Sequence, residues 1–265
     1  MNTAVITGAA SGLGKAIAQH YSGLGWNVIV ADINDPAGEE VVAQLNANNS
    51  ATAFYTHCDI SKPQDFDALM NFTRESTGAC HLLVNNAGVA SAGTLMNSDE
   101  DEWERLISLD LMSCVRGCKA FIPLIKESAS AGSHSAIVNI ASFAGLALMP
   151  GMATYNVAKA GVIALSETLR CELYKDHIHV AVACPSFFKT NLTQSMDTSD
   201  DATKQRINKW METSGVTAEM VADDIAKAVS AKKFMILSHG YTRKIERIMR
   251  WFPNYMRKKK LDRPF

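Results

Sequence analysis

Short apolar runs recur along the chain at 4–6, 27–31, 52–57, 81–85, 136–141, 178–184 and 234–237, separated by stretches with helical periodicity. Runs this short, dominated by Val, Ile, Leu and Ala, are what strands buried on both faces require. Strands alternating with helices predict βαβ units, and therefore an α/β fold with a doubly wound parallel sheet flanked by helices. No run reaches eighteen apolar residues, so no transmembrane helix is predicted. The first strand begins within three residues of Met1, leaving no charged or cleavable leader, and the expected location is the cytoplasm. Nothing in the 265 residues resembles a linker or a repeat, which predicts one domain over residues 1–240.

The first apolar run, Thr3-Ala4-Val5-Ile6-Thr7, leads straight into Gly8-Ala9-Ala10-Ser11-Gly12-Leu13-Gly14 and then a helical pattern. Glycines between a strand and a helix permit positive φ and close backbone approach, and the free N–H groups of the new helix attract a pyrophosphate. The spacing is a variant of the dinucleotide turn, and Gly8, Ser11, Gly12, Leu13 and Gly14 are its candidate cofactor-binding residues. The second strand ends in Asp32, eighteen residues after Gly14. A carboxylate there accepts hydrogen bonds from an adenosine ribose and repels a 2′-phosphate, and neither Ser11 nor Ile33 is basic, so NAD is expected over NADP.

Tyr155 and Lys159 are one helical turn apart, and Ser142 lies thirteen residues upstream of the tyrosine, just after an apolar run. Side chains four residues apart share a helix face. An ordinary tyrosine, with a pKa of about 10, is a poor base at neutral pH. A cation about 4 Å away stabilises the phenolate by roughly 4 kcal/mol at an effective dielectric of about 20, so Lys159 is expected to lower the Tyr155 pKa. Ser142 would then orient a carbonyl or alcohol oxygen beside the phenol.

With these motifs in this order, the chain resembles the short-chain dehydrogenase/reductase family over roughly residues 1–240. Cys58-Asp59-Ile60 is similar to the segment that touches adenine in that family, and Asn85-Asn86-Ala87-Gly88 to the one that lines its cofactor cleft. The resemblance implies a Rossmann-like sheet of about seven strands and hydride transfer at a nicotinamide. It also implies Tyr155 as acid/base, Lys159 lowering its pKa and holding the nicotinamide ribose, and Ser142 polarising the substrate oxygen. Asp59, Ile60, Asn86, Ala87, Gly88, Pro185 and Thr190 join the implied cofactor contacts. Two positions depart from the family pattern. Asp110 stands where asparagine is common, as a fourth member of the catalytic set or a charge that disturbs it. Pro185-Ser186 replaces the usual Pro-Gly beside the nicotinamide.

The segment 187–215 falls where the family has its variable substrate lid. Its large apolar anchors, with Phe143, Leu146, Leu148, Met149 and Met152 between the serine and the tyrosine, point to an apolar alcohol or ketone. Lipid, sterol-like and terpenoid compounds fit that description; a hydroxyacyl thioester or a polyol is the alternative within the family. A non-catalytic NAD-binding sensor or membrane-associated scaffold is the alternative outside it. The six cysteines include no C-x-x-C pair and the seven histidines no cluster, so no metal site is expected.

The net charge of −1 conceals an asymmetry. Residues 243–263 carry nine basic side chains against two acidic ones, a net of +7, which leaves −8 on the rest of the chain. Ile245, Ile248, Met249 and Phe252 fall at helical spacing within this stretch, making 241–265 a basic amphipathic tail. It reads either as a peripheral membrane contact through 243–260 or as a helix packed on this chain or a partner subunit. The acidic body and the lack of a reading motif argue against nucleic acid. The family resemblance implies a homodimer or homotetramer.

Overall fold

Seven parallel strands form one sheet in the order β3-β2-β1-β4-β5-β6-β7. They are β1 (Thr3–Thr7), β2 (Asn27–Asp32), β3 (Ala53–His57), β4 (Leu82–Asn85), β5 (Ala136–Ile140), β6 (His179–Ala183) and β7 (Met235–Ile236), each within three residues of the predicted ends. This computed structural model describes residues 1–48, 51–129, 134–188, 205 and 209–261. Ile6 pairs with Val30 on one side and Val84 on the other, so β1 is central and buried on both faces.

The pleat divides each strand between two cores. Ala4, Ile6, Leu82, Val84, Ala136 and Val138 pack against α1 (Gly12–Gly23), α2 (Asp35–Asn48) and α8 (Ala218–Ser230). Val5, Leu83 and Ile137 pack against α3 (Pro63–Thr77), α5 (Ser113–Ser128) and α7 (Ala153–Glu172). Each fully buried Val, Leu or Ile contributes roughly 1.5–3 kcal/mol, so this two-sided burial is the main support of the sheet. Local signals set the helix ends: α3 begins on Pro63 and stops at Gly78, whose φ of 74° is the left-handed cap that glycine favours.

Two features bear on the site. Chain order reverses beside β1, with β2 and β3 on one side and β4 to β7 on the other, which opens a crevice at the carboxyl ends of β1 and β4. The helix α4 (Glu100–Leu106) runs into α5 through a wide π-helical turn, Ile107–Met112, that carries Asp110 into the interior.

The tail forms α9 (Gly240–Trp251) and α10 (Pro253–Leu261), separated at Phe252 just ahead of Pro253, where one amphipathic segment was expected. Ile245, Ile248 and Met249 are half-buried, while Trp251 is 74 % and Phe252 64 % exposed. No described helix is long and apolar enough to cross a membrane.

Candidate active site

The turn after β1 is tied to the segment that follows β4. Asn86 Nδ2 donates to the carbonyls of Thr7 (2.9 Å) and Gly8 (3.2 Å), while the Thr7 hydroxyl accepts the N–H groups of Asn86 (3.0 Å) and Ala87 (3.1 Å). A Cβ on Gly14 would lie 2.1 Å from the Gly8 carbonyl oxygen, so only glycine lets the turn close on the start of α1. Ser11 precedes that helix without capping it, and no acidic residue occupies its first turn. An uncapped N-terminus behind a glycine turn fits an anionic pyrophosphate.

Asp32 is fixed at the end of β2 by two backbone donors: Ala10 N–H at 2.9 Å to Oδ2 and Asn34 N–H at 3.0 Å to Oδ1. The carboxylate therefore stands against the glycine turn, within reach of whatever lies on it. Asp59 instead directs its side chain to Ser61 and Lys62, the latter at 3.2 Å, and the Ile60 carbonyl accepts from Arg116 at 3.0 Å. Thr190 and most of the lid segment, 189–204 and 206–208, lie outside the described residues.

Helix α7 brings Tyr155 and Lys159 to the carboxyl end of β5. Buried Tyr155, Lys159, Val162 and Ser166 mark one face of that helix, at spacings of four, three and four. A buried polar chain sets its position: Asn85 Nδ2 donates to Asn139 Oδ1 at 2.8 Å, Asn139 Nδ2 donates to Ser166 Oγ at 3.0 Å, and Ser166 donates to the Val162 carbonyl at 2.7 Å. Sequence reasoning missed Asn139 and Ser166. Their signals were a lone amide inside an apolar strand and a serine two turns after Lys159.

Ser142 follows β5, and its hydroxyl oxygen accepts the Ala144 N–H at 3.1 Å, leaving its own hydrogen to donate. It acts on the Tyr155 phenol in the direction that favours the phenolate. The Lys159 ammonium is 5.7 Å from the centroid of the Tyr155 ring, donates to the Ile140 carbonyl at 3.3 Å and pairs with Asp110 Oδ2 at 3.2 Å. Asp110 Oδ1 accepts the Val89 N–H at 2.8 Å. Gly88 is required alongside, since a Cβ there would lie 2.7 Å from that oxygen.

Lys159 lowers the Tyr155 pKa as expected, but the net shift is upward. Burial raises that pKa, and Asp110 raises it further; Lys159 and Ser142 pull the other way without prevailing. Burial also works against the Lys159 ammonium, but Asp110, Tyr155 and Cys114 together hold that group above the ordinary lysine range. The lysine charge that was to serve the phenol alone is shared with a carboxylate.

Apolar side chains surround Tyr155: Ala90, Ala92, Leu106, Met152 and Met211 are buried with it, and Phe187 packs against the group. Of the five apolar residues between Ser142 and Tyr155, Met152 joins this cluster. Leu146 packs instead with Cys114 and Val162, and Leu148 and Met149 are exposed.

Ser186 has a use that glycine could not fill, because its hydroxyl accepts from the Tyr241 phenol of α9. His239 clamps the same loop, accepting the Ser186 N–H on Nδ1 (3.4 Å) and donating from Nε2 to the Phe187 carbonyl (2.9 Å). Those two bonds together require the neutral imidazole, and burial lowers the His239 pKa accordingly. Tyr241 also meets Phe143 edge to face at 6.3 Å. Neither His239, at the end of the predicted domain, nor Tyr241, at the start of the tail, stood out in the sequence. The six cysteines are free, and no cluster of metal-ligating side chains occurs among the described residues.

A glycine turn closing on an uncapped helix at the switch point of a doubly wound sheet places the molecule among the dinucleotide-binding α/β proteins. Within that class the chain belongs to the short-chain dehydrogenase/reductase family, whose sequence model, described as short chain dehydrogenase, matches residues 2–201. It is 33 % identical over 228 residues to the 3-oxoacyl-(acyl-carrier-protein) reductase FabG of Chlamydia trachomatis serovar D, covering 85 % of this chain and 87 % of that protein. It is 30 % identical over 251 residues to the CLA biosynthesis dehydrogenase/reductase of Lactiplantibacillus plantarum, covering 88 % and 86 %. A short chain dehydrogenase/reductase from Burkholderia phymatum, solved in complex with NAD, superposes with a TM-score of 0.88 at 28 % identity, covering 96 % of this chain and 94 % of that one. The protein is an oxidoreductase of this family.

Proposed function

We propose that the protein interconverts a secondary alcohol and a ketone on an apolar substrate, with NAD as cofactor and Tyr155 as acid/base. The observation that carries this reading is a buried tyrosine beside the Lys159 ammonium, with Ser142 acting on its phenol and an apolar surround. NAD is supported by Asp32 against the glycine turn, whose carboxylate would repel a 2′-phosphate, and by the NAD complex of the Burkholderia phymatum relative. When bound, NAD supplies the hydride chemistry, its oxidised form accepting hydride from the alcohol carbon and its reduced form returning it to the ketone carbon.

The chain's own residues handle the proton. In the reductive direction the Tyr155 hydroxyl gives its proton to the ketone oxygen, and the resulting phenolate lies beside Lys159. Ser142 donates to the same substrate oxygen and fixes its orientation. Gly8, Ser11, Gly12, Leu13 and Gly14 would hold the pyrophosphate, Asp32 the adenosine ribose and Lys159 the nicotinamide ribose. Asn86, Ala87, Gly88 and Pro185 would line the cleft. Asp59 and Ile60 would flank the adenine. The test is Tyr155→Phe: turnover is expected to fall by about 10²–10⁴-fold with NAD still bound, and full turnover would sink the reading.

Within the family, a hydroxyacyl thioester is the second reading, supported by the name of the Chlamydia relative. The apolar residues around Tyr155 suit the chain of a lipid or an acyl group better than a polyol.

The tail is proposed as a peripheral contact for anionic lipid. Its support is Trp251, Phe252, Tyr255 and Leu261, all exposed, interspersed with Arg250, Arg257, Lys258 and Lys259. Full-length protein should co-sediment with phosphatidylserine vesicles and lose that binding when 243–265 is removed; equal binding by both would end the idea.

A further inference from the structure

Asparagine and aspartate have nearly the same shape, so Asp110 alters the charge of this site more than its packing. Its side chain is 0 % exposed and that of Lys159 is 6 % exposed, and their charged atoms are 3.2 Å apart. Oδ1 accepts the Val89 N–H, while Oδ2 takes no hydrogen bond and has the Lys159 ammonium beside it. Burial raises the Asp110 pKa, while the Lys159 ammonium beside it and the Val89 N–H favour the ionised carboxylate.

The other groups around the pair do not offset this charge. From α5, Cys114 points its thiol at the Asp110 backbone carbonyl (3.7 Å), and burial holds that thiol at about 11. Cys184, beyond β6, is held by burial at about 12. Both are neutral at physiological pH. Ser142 contributes a hydroxyl. Arg105, from α4, is the smallest of the influences that favour the ionised Asp110. The phenol of Tyr155 thus faces an ion pair of zero net charge where an asparagine at 110 would leave a lone cation.

Taking Tyr155 as the acid/base, we propose that Asp110 is a positioning residue whose buried carboxylate cancels the Lys159 charge, so that Tyr155 keeps its proton at neutral pH. The site is then set to deliver a proton to a ketone rather than to withdraw one from an alcohol. The balance is simple: the ketone gains a hydride at carbon and the tyrosine proton at oxygen, and the reduced nicotinamide is oxidised. The sign follows from the phenol. Below its pKa Tyr155 is the acid that reduction needs; alcohol oxidation needs the phenolate and must rise with pH through that pKa. Removing the Asp110 charge moves the whole transition to lower pH.

The experiment is Asp110→Asn, with Asp110→Ser as a smaller uncharged partner should the first fail to fold. Tyrosinate absorbance is titrated in the cofactor-free protein, with and without an added Tyr155→Phe change, so that the difference isolates Tyr155. The midpoint is expected to fall by about one pH unit or more relative to wild type, and the rise of alcohol oxidation with pH to move down by the same amount. An unmoved or higher midpoint overturns the inference. Full turnover by Tyr155→Phe alone would instead remove the acid/base reading beneath it, so the two failures are separable.

Discussion

Lys159 has two neighbours that want its charge, the Tyr155 phenol and the Asp110 carboxylate, and only the first was legible from spacing. Tyr155 and Lys159 declare themselves because four residues make one helical turn, and Ser142 because it ends a strand run. The Asp110 contact depends on the wide turn at Ile107–Met112, which no periodicity announces, and on a side chain from another helix. Lys159 pulls the Tyr155 pKa down as expected, but burial, with Asp110 added to it, raises it overall, and both act only once the helices pack. Ser186 shows a similar limit. Its departure from the family pattern was visible, but its partner Tyr241 is fifty-five residues away.

At the scale of elements, apolar runs marked all seven strands, because strands buried on both faces leave an uninterrupted signature. What fixes α7 on the sheet was less visible. Asn139, wholly buried, bridges Asn85 of β4 and Ser166 of α7, and through them sets where Tyr155 and Lys159 stand. Asn139→Ala leaves the Asn85 amide and the Ser166 hydroxyl short of a partner. It should cost about 1–3 kcal/mol, read as a lower urea midpoint with an unchanged slope. A midpoint equal to wild type would mean that the polar chain contributes no support. The break in the tail just ahead of Pro253 was open to prediction, since proline lacks the N–H that a continuing helix needs.

For the whole molecule, alternation of strands and helices implied a doubly wound sheet, whereas its Rossmann-like form came from the family resemblance. The order β3-β2-β1-β4-β5-β6-β7 then does the functional assembly. It draws the glycine turn, Asp32, the Asn86 segment, Ser142 and the Pro185-Ser186 loop to one end of the sheet. The reading that this end performs NAD-dependent chemistry on apolar alcohols is tested most directly by absorbance at the reduced-nicotinamide band. NAD and NADP would be supplied separately with secondary alcohols ranging from long-chain and sterol-like compounds through hydroxyacyl thioesters to polyols, at alkaline pH. The account predicts NAD reduction by apolar members of that set and little with NADP. Bound NAD that no alcohol reduces would contradict it and favour a protein that senses the dinucleotide without turning it over.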